Sequence, residues 1–264
     1  MRGVTAFSRL EMVAPGFWVA TSRCFITTTT VVAGAEQQCL IVDAGVEADE
    51  LEELAQDLFV QGLSPVIGFS THPHWDHVLW SRALGDVPRY ASQEAVDGAC
   101  REYEDLSRQA QEVVPGYDRY YFARLIPLAR DAYALSWDGP RVRILTHRAH
   151  APGHSALFFS DRGILVAGDM LSDVEIPLLD LDQGDPVGDY RRALSDFAML
   201  EGVRLVIPGH GHWGDAQEFE RRLAADFRYL EDLESGRPSF DERLNLPWLR
   251  QEDARHRRRI GNLP

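Results

Sequence analysis

Short apolar blocks separated by polar turns run through most of the chain. Between residues 16 and 43 they read as strands. ITTTTVVA (26–33) is rich in β-branched residues, and QCLIV (38–42) is a compact apolar run. A helical stripe follows, with Leu51, Leu54, Ala55, Leu58 and Phe59 at i, i+3, i+4, i+7 and i+8. VIGFS (66–70) predicts another buried strand. From 93 to 133 the pattern changes. Val96, Cys100, Tyr103 and Leu106 keep helical spacing, and an aromatic cluster of Tyr117, Tyr120, Tyr121 and Phe122 follows, which predicts a helical insertion. Strands resume at RVRIL (141–145), ALFF (156–159) and ILVA (164–167). A helix carrying Tyr190, Leu194 and Phe197 leads to the strand RLVI (204–207), and a last clear helix carries Phe219, Leu223, Phe227 and Leu230. Strands, one helix, strands and then helices predict a layered α/β protein with helices outside paired sheets. With no repeat or low-complexity linker, the chain reads as one domain over 1–264, with an insertion at about 93–133 and a C-terminal tail over about 235–264.

Composition narrows the function classes. The 264 residues are 45% apolar and 26% charged, an ordinary globular mix that excludes a disordered or collagen-like chain. No run approaches 18 consecutive apolar residues, so no transmembrane helix is expected. Ser8, Arg9 and Glu11 break the apolar content near the N-terminus, so no signal peptide is expected either. A net charge of −14 repels polyanions, which argues against nucleic acid and anionic membrane surfaces as partners. The basic run from Arg255 to Arg259 reads as a solvated tail. Cys24, Cys39 and Cys100 are odd in number and form no CxxC pair, which fits a reducing cytoplasm without disulfides. A small-molecule substrate is the expected partner, and a homodimer is compatible with this composition.

The chemistry concentrates in Thr71-His72-Pro73-His74-Trp75-Asp76-His77, directly after the VIGFS strand. With 9 histidines in the chain, a chance HxHxDH has odds of roughly one in a thousand. Residues two apart in an extended loop point the same way, so His72 and His74 converge on one metal ion. Asp76 and His77, past a turn, converge on a second. Imidazole and carboxylate are the donors expected for zinc and similar ions. Three further fragments place donor types at strand ends or between strands: His150-Ala-Pro-Gly-His154-Ser155, Val166-Ala-Gly-Asp169 and Val206-Ile-Pro-Gly-His210-Gly211.

In these motifs, their order and their spacing, the chain resembles the metallo-β-lactamase superfamily from about residue 16 to about residue 232. The resemblance implies an αβ/βα four-layer sandwich with a dinuclear site at one edge. It implies His72, His74 and His154 on the first metal, Asp76, His77 and His210 on the second, and Asp169 bridging them. Asp43, in IVDAG, matches the aspartate that orients the ligand loop, and Ser155 is expected as a supporting hydroxyl. His150 is expected in a supporting or structural role. Two zinc ions are implied, with iron or manganese as alternatives. They would hold a bridging hydroxide that attacks a carbonyl or phosphoryl centre, with Asp76 and Asp169 as the catalytic carboxylates. His212, Tyr117, Tyr120 and Tyr121 are candidate substrate contacts, with loop exposure and packing as the competing roles.

A bridging aspartate is generally absent from true β-lactamases, and the chain lacks both the long helical domain of glyoxalase II and the basic arm of the nucleases. Residues 173–189 carry Asp173, Glu175, Asp180, Asp182, Asp185 and Asp189, which disfavours polyanionic substrates if they rim the pocket. A carboxylic ester, lactone or thioester is therefore the expected substrate, with a phosphodiester next. An iron-dependent oxidoreductase such as a persulfide dioxygenase is the alternative of a different class. The complete second donor set favours a hydrolase.

Overall fold

The structure is a computed structural model that describes residues 9–129 and 132–261. The first eight residues, two positions of the expected insertion and the last three of the expected tail lie outside it. Strands β1 (Glu11–Ala14), β2 (Phe17–Thr21), β3 (Thr28–Ala33) and β4 (Gln38–Val42) form an antiparallel meander. Helix α1 (Ala48–Gln61) then crosses to β5 (Ser64–Phe69), which pairs parallel to β4. Strand β6 (Arg89–Ala91), helices α2 (Gln93–Arg101) and α3 (Tyr103–Val113), and β7 (Ile126–Pro127) complete a seven-stranded sheet in chain order. Strands β8 (Arg143–His147), β9 (His154–Phe159) and β10 (Ile164–Gly168) begin a second sheet. Helix α4 (Pro186–Ala198) crosses to β11 (Leu205–Pro208), parallel to β10, and β12 (Gly214–Asp215) leads into α5 (Ala216–Glu234). Helix α6 (Pro247–Gly261) follows. The second sheet has the order β12-β11-β10-β9-β8.

The sheets pack face to face through Val19, Val32, Leu40, Val42 and Phe69 on one side and Ile144, Leu157, Phe159, Val166 and Ile207 on the other. Period-2 alternation sends the opposite faces of the same strands toward the helices. Val31, Cys39 and Ile41 meet Leu51, Leu54 and Leu58 of α1, while Leu165, Ala167 and Val206 meet Leu194 and Phe197 of α4 and Leu223 and Leu230 of α5. The four layers are those of an αβ/βα sandwich, as the sequence predicts. Local chemistry starts the helices where it should. Ser92 caps α2, Asp185 caps α4 ahead of Pro186, and Asp215 caps α5, each accepting a backbone N–H of the first turn.

Three expectations change. Phe59 is 84% exposed, so the stripe of α1 ends at Leu58. The helical spacing through Cys100 and Tyr103 hides a break at Glu102 between α2 and α3, and Cys100 is exposed. The segment after residue 246 is a docked helix and not a solvated tail. Leu249 and His256 of α6 are buried, and Arg257 and Arg259 bond Asp253 and the Leu181 carbonyl.

Two parallel pairs decide where chemistry can gather. Chain leaving the carboxyl ends of β4, β5, β10 and β11 emerges with Asp43, the His72–His77 loop, Asp169 and His210 respectively.

Candidate metal centre

Asp43 sits in a left-handed backbone conformation at φ 50° just past β4. Its carboxylate accepts the Thr71 N–H at 2.8 Å and the Thr71 hydroxyl at 2.7 Å, and it lies 3.1 Å from His77 Nδ1. One buried carboxylate thus fixes the start of the loop by two hydrogen bonds and faces the ring of His77, as expected of a residue that orients donors. The Ser155 N–H donates to the Thr71 carbonyl at 2.8 Å and ties the loop to the second sheet.

Four side chains converge as a first group: His72, His74, His150 and Asp169, with donor atoms within 4.8 Å of one another. His74 Nδ1 lies 3.1 Å from His72 Nε2 and 3.0 Å from His150 Nε2. Asp169 Oδ2 lies 3.3 Å from His72 Nε2 and 3.2 Å from His150 Nε2. Asp76, His77 and His210 form a second group, with His77 and His210 Nε2 atoms 3.3 Å apart and Asp76 Oδ2 3.2 Å from His210. Asp169 touches this group too, through Oδ1 to His77 at 3.2 Å and Oδ2 to His210 at 3.3 Å. Gly209 makes that approach possible, because a Cβ there would stand 2.0 Å from Asp169 Oδ1.

The donor set fits metal ions. Imidazole nitrogens whose lone pairs face one another at 3.0–3.3 Å repel unless a proton or a metal ion sits among them. A tetrahedral zinc with bonds of 2.0–2.1 Å holds its ligands about 3.3 Å apart. Carbonyl oxygens set the tautomers from behind. His150 Nδ1 donates to Leu178 O at 2.9 Å, and His210 Nδ1 donates to Phe25 O at 3.0 Å, leaving each Nε2 lone pair to the centre. The metal-free charge states agree. Burial keeps His72 neutral and pushes His74 down to about 3. Burial opposes charge on His77 and His210 as well, but the carboxylates of Asp169 and Asp76 outweigh it and raise both. The second group therefore holds positive charge where a cation belongs.

Of the seven residues expected to hold metal, six are brought together and His154 is not. Its Nε2 accepts the Asp169 N–H at 3.0 Å, and its ring stacks between His72 (5.0 Å) and His147 (4.6 Å). The reason lies in the strand. His154 opens β9, opposite His147, and shares the face of Ala156 and Phe158 that looks toward α4. Gly168, at φ 57°, leaves it room, since a Cβ there would come within 2.4 Å of His154 Nε2. His150, in the loop before the strand, takes the place in the first group. The strand alternation was the available signal, because a residue inside the ladder has its direction fixed and one before it does not.

The remaining candidates stand apart from both groups. The Ser155 hydroxyl bonds Thr146 and the Gly153 carbonyl. His212 is exposed and held by Asp173 at 2.9 Å. Tyr117 bonds Ser107 and packs with Phe122, Tyr121 is buried against α1, and Tyr120 stands edge-on to Tyr121 with Arg124 over its ring. Packing of the insertion is the role the aromatics take. Phe25 is the aromatic that reasoning from the sequence missed. It is 55% exposed, stands edge-on to Trp75 of the ligand loop, and passes its carbonyl to His210. Phe25 and Ile26 both lie at φ 55°, a strained turn that the bonds to His210 and from Gly211 hold in place. Cys24 beside them carries no thiolate, since burial pushes its thiol up to about 11.

Fold and site define a sandwich protein whose strand ends assemble two linked His/Asp groups able to hold metal ions. The chain belongs to the metallo-β-lactamase superfamily, whose profile matches residues 22–210. Among relatives, the probable metallo-hydrolase YqgX of Bacillus subtilis is 24% identical over 67% of this chain and 82% of its own. An uncharacterised protein of Mycobacterium leprae is 26% identical over 76% of this chain and 92% of its own. A β-lactamase domain protein from Burkholderia ambifaria superposes with a TM-score of 0.65 at 19% identity, covering 89% of this chain and 81% of its own. TTHA1623, solved in a di-iron-bound form, superposes with a TM-score of 0.60 at 24% identity, covering 77% and 97%. No helix among the described residues is long and apolar enough to cross a membrane.

Proposed function

We propose that the chain is a dinuclear metal-dependent hydrolase of a carboxylic ester, lactone or thioester. The observation that carries this reading is Asp169, whose two oxygens reach one donor group each while Oδ2 also reaches His210. His72, His74, His150 and Asp169 would hold one ion, and Asp76, His77, His210 and Asp169 the other. Two divalent ions held there, zinc first and iron next, would supply an activated water and polarise the substrate carbonyl. TTHA1623 supports keeping iron among the metals to be tested.

The protein's own part is to orient and to move a proton. Water adds to the carbonyl carbon, and its proton passes to the Asp76 carboxylate of the second group. Collapse of the adduct breaks the bond to the leaving oxygen or sulfur, which takes the proton back from Asp76. Phe25 and Trp75 supply an apolar wall beside His210 for the uncharged part of such a substrate.

Elemental analysis after expression with balanced metal supply, joined to a panel of ester, lactone, thioester and phosphodiester substrates, tests the reading. Two ions per chain with carbonyl turnover are expected. A single iron with no hydrolysis overturns it in favour of an oxidoreductase. Asp169→Ala should lower occupancy of both sites and cut turnover at least about 100-fold, since second-sphere losses alone cost 10–100-fold.

A further inference from the structure

After Asp169 the chain does not leave the site but crosses it. At one end of the crossing, the Ser172 hydroxyl donates to the His210 carbonyl at 2.8 Å. At the other, the Leu178 carbonyl accepts from His150 at 2.9 Å, and Asp180 N–H reaches the Ala149 carbonyl. Residues 172–178 are thus a strap from the second donor group to the first, and Glu175 is its midpoint. The strap is held rigidly. Glu175 N–H donates to Ser172 Oγ at 3.0 Å, and Arg243, paired with Asp226 and Asp241, donates to the Ser172 and Glu175 carbonyls at 3.0 and 2.8 Å.

Glu175 has all its backbone bonds and, among the described residues, no side-chain partner. Of the other acids in 173–189, Asp182 is exposed to solvent and four are committed. Asp173 holds His212, Asp180 holds Gln183, Asp185 caps α4, and Asp189 pairs with Arg192. The Glu175 carboxylate instead interacts electrostatically with His210, Asp169, His150 and Asp76, members of both groups. No cation offsets it from the strap. The chain has no lysine, and the nearby Arg222 and Arg243 are engaged with Glu218, Asp226 and Asp241.

We propose that Glu175 selects the substrate, its carboxylate receiving an ammonium or other hydrogen-bond-donating group carried next to the scissile carbonyl. The proposal rests on the hydrolase reading and refines its substrate class to esters, lactones or thioesters with a cationic or donor substituent. A carboxylate or phosphate at the same place meets Glu175 as a like charge.

The test uses the metal-loaded full chain and esters of matched size carrying an ammonium, a neutral or a carboxylate substituent on the acyl or the alcohol side. The wild type should favour the ammonium esters over the carboxylate esters by about tenfold or more in kcat/KM, chiefly through KM, as a charge-assisted hydrogen bond predicts. Glu175→Gln should keep two metal ions and flatten that preference. Calorimetry with the matching non-cleavable ethers should show the same loss of preference in binding. If no ester is cleaved, the hydrolase reading falls while the ether binding still decides the role of Glu175. An unchanged preference in Glu175→Gln overturns the proposal. Loss of metal in that variant also overturns it, since Glu175 would then belong to the metal-holding set.

Discussion

A histidine ring reaches the metal centre only if its backbone leaves it free to turn there. His150 precedes β9 and is aimed by a single bond from Nδ1 to Leu178 O. His154 lies in the β8–β9 ladder opposite His147, so its direction is settled before any ligand is considered. Each variant should separate these roles. His150→Ala removes a donor atom and should lose the first ion under dialysis, read by elemental analysis. His154→Ala keeps every donor and loosens Asp169 by removing the acceptor of its N–H, so metal affinity should fall about 10–100-fold while both ions still bind at saturation. Loss of the first ion only in His154→Ala would reverse the assignment. The sequence makes HxHxDH, Asp169 and His210 readable because each follows a strand end, where side chains of a loop can converge. It hides the choice between His150 and His154 because three histidines within eight residues all satisfy a composition-based motif. Only the position of the strand's first residue tells them apart.

At the scale of elements, apolar period made the central strands and α1, α4 and α5 legible, because each buries a whole face. The two-residue strands β7 and β12 carry no period to read. Helix α6 was missed for a related reason. Its sequence is dominated by charge, and it docks through few positions, chiefly Leu249 and His256. His256 carries much of that contact. Its Nδ1 bonds the Tyr229 hydroxyl of α5 at 2.8 Å and its Nε2 accepts the Leu179 N–H at 3.4 Å, with Asp253, Arg255 and Arg257 around it. Burial holds this imidazole neutral, down to about 4 against 6.5. Between those values the unfolded chain binds a proton that the folded chain refuses, so this contribution to stability is complete above pH 6.5 and is lost as pH falls toward 4. Going from pH 7 to pH 5 should cost about 2 kcal/mol through His256 alone. Urea unfolding of chelator-treated protein checks it. His256→Gln should be less stable at pH 7 yet lose about 2 kcal/mol less on acidification, and equal losses in both proteins would mean that His256 is not the titrating group.

For the whole molecule, the site is also a joint. His72, His74, Asp76 and His77 come from the first sheet, and His150, Asp169 and His210 from the second. The apolar contact between the sheets, with Phe17, Leu40, Leu157 and Phe159 fully buried, holds the sandwich without any ion. At the edge, however, the donors are crowded: His74 faces His72 and His150 across 3.0–3.1 Å, and His77 faces His210 across 3.3 Å, so bound cations add cohesion there. Metal ions that bind only the folded chain add stability by mass action, about 2.7 kcal/mol at a free concentration one hundred times Kd. For a chain of this size that corresponds to a rise in Tm of about 5–10 °C. Chelation should therefore lower Tm by that amount without changing far-ultraviolet circular dichroism, since the core persists. Deuterium exchange should quicken in 71–77 and 208–212 and stay slow in β3, β4 and β10. Asp169→Ala should lose more than half of the metal-dependent rise, because the shared carboxylate is the link between the two sheets' donors. A Tm indifferent to chelation in the wild type, with metal shown to be present beforehand, would mean that the two groups do not join the sheets through bound ions.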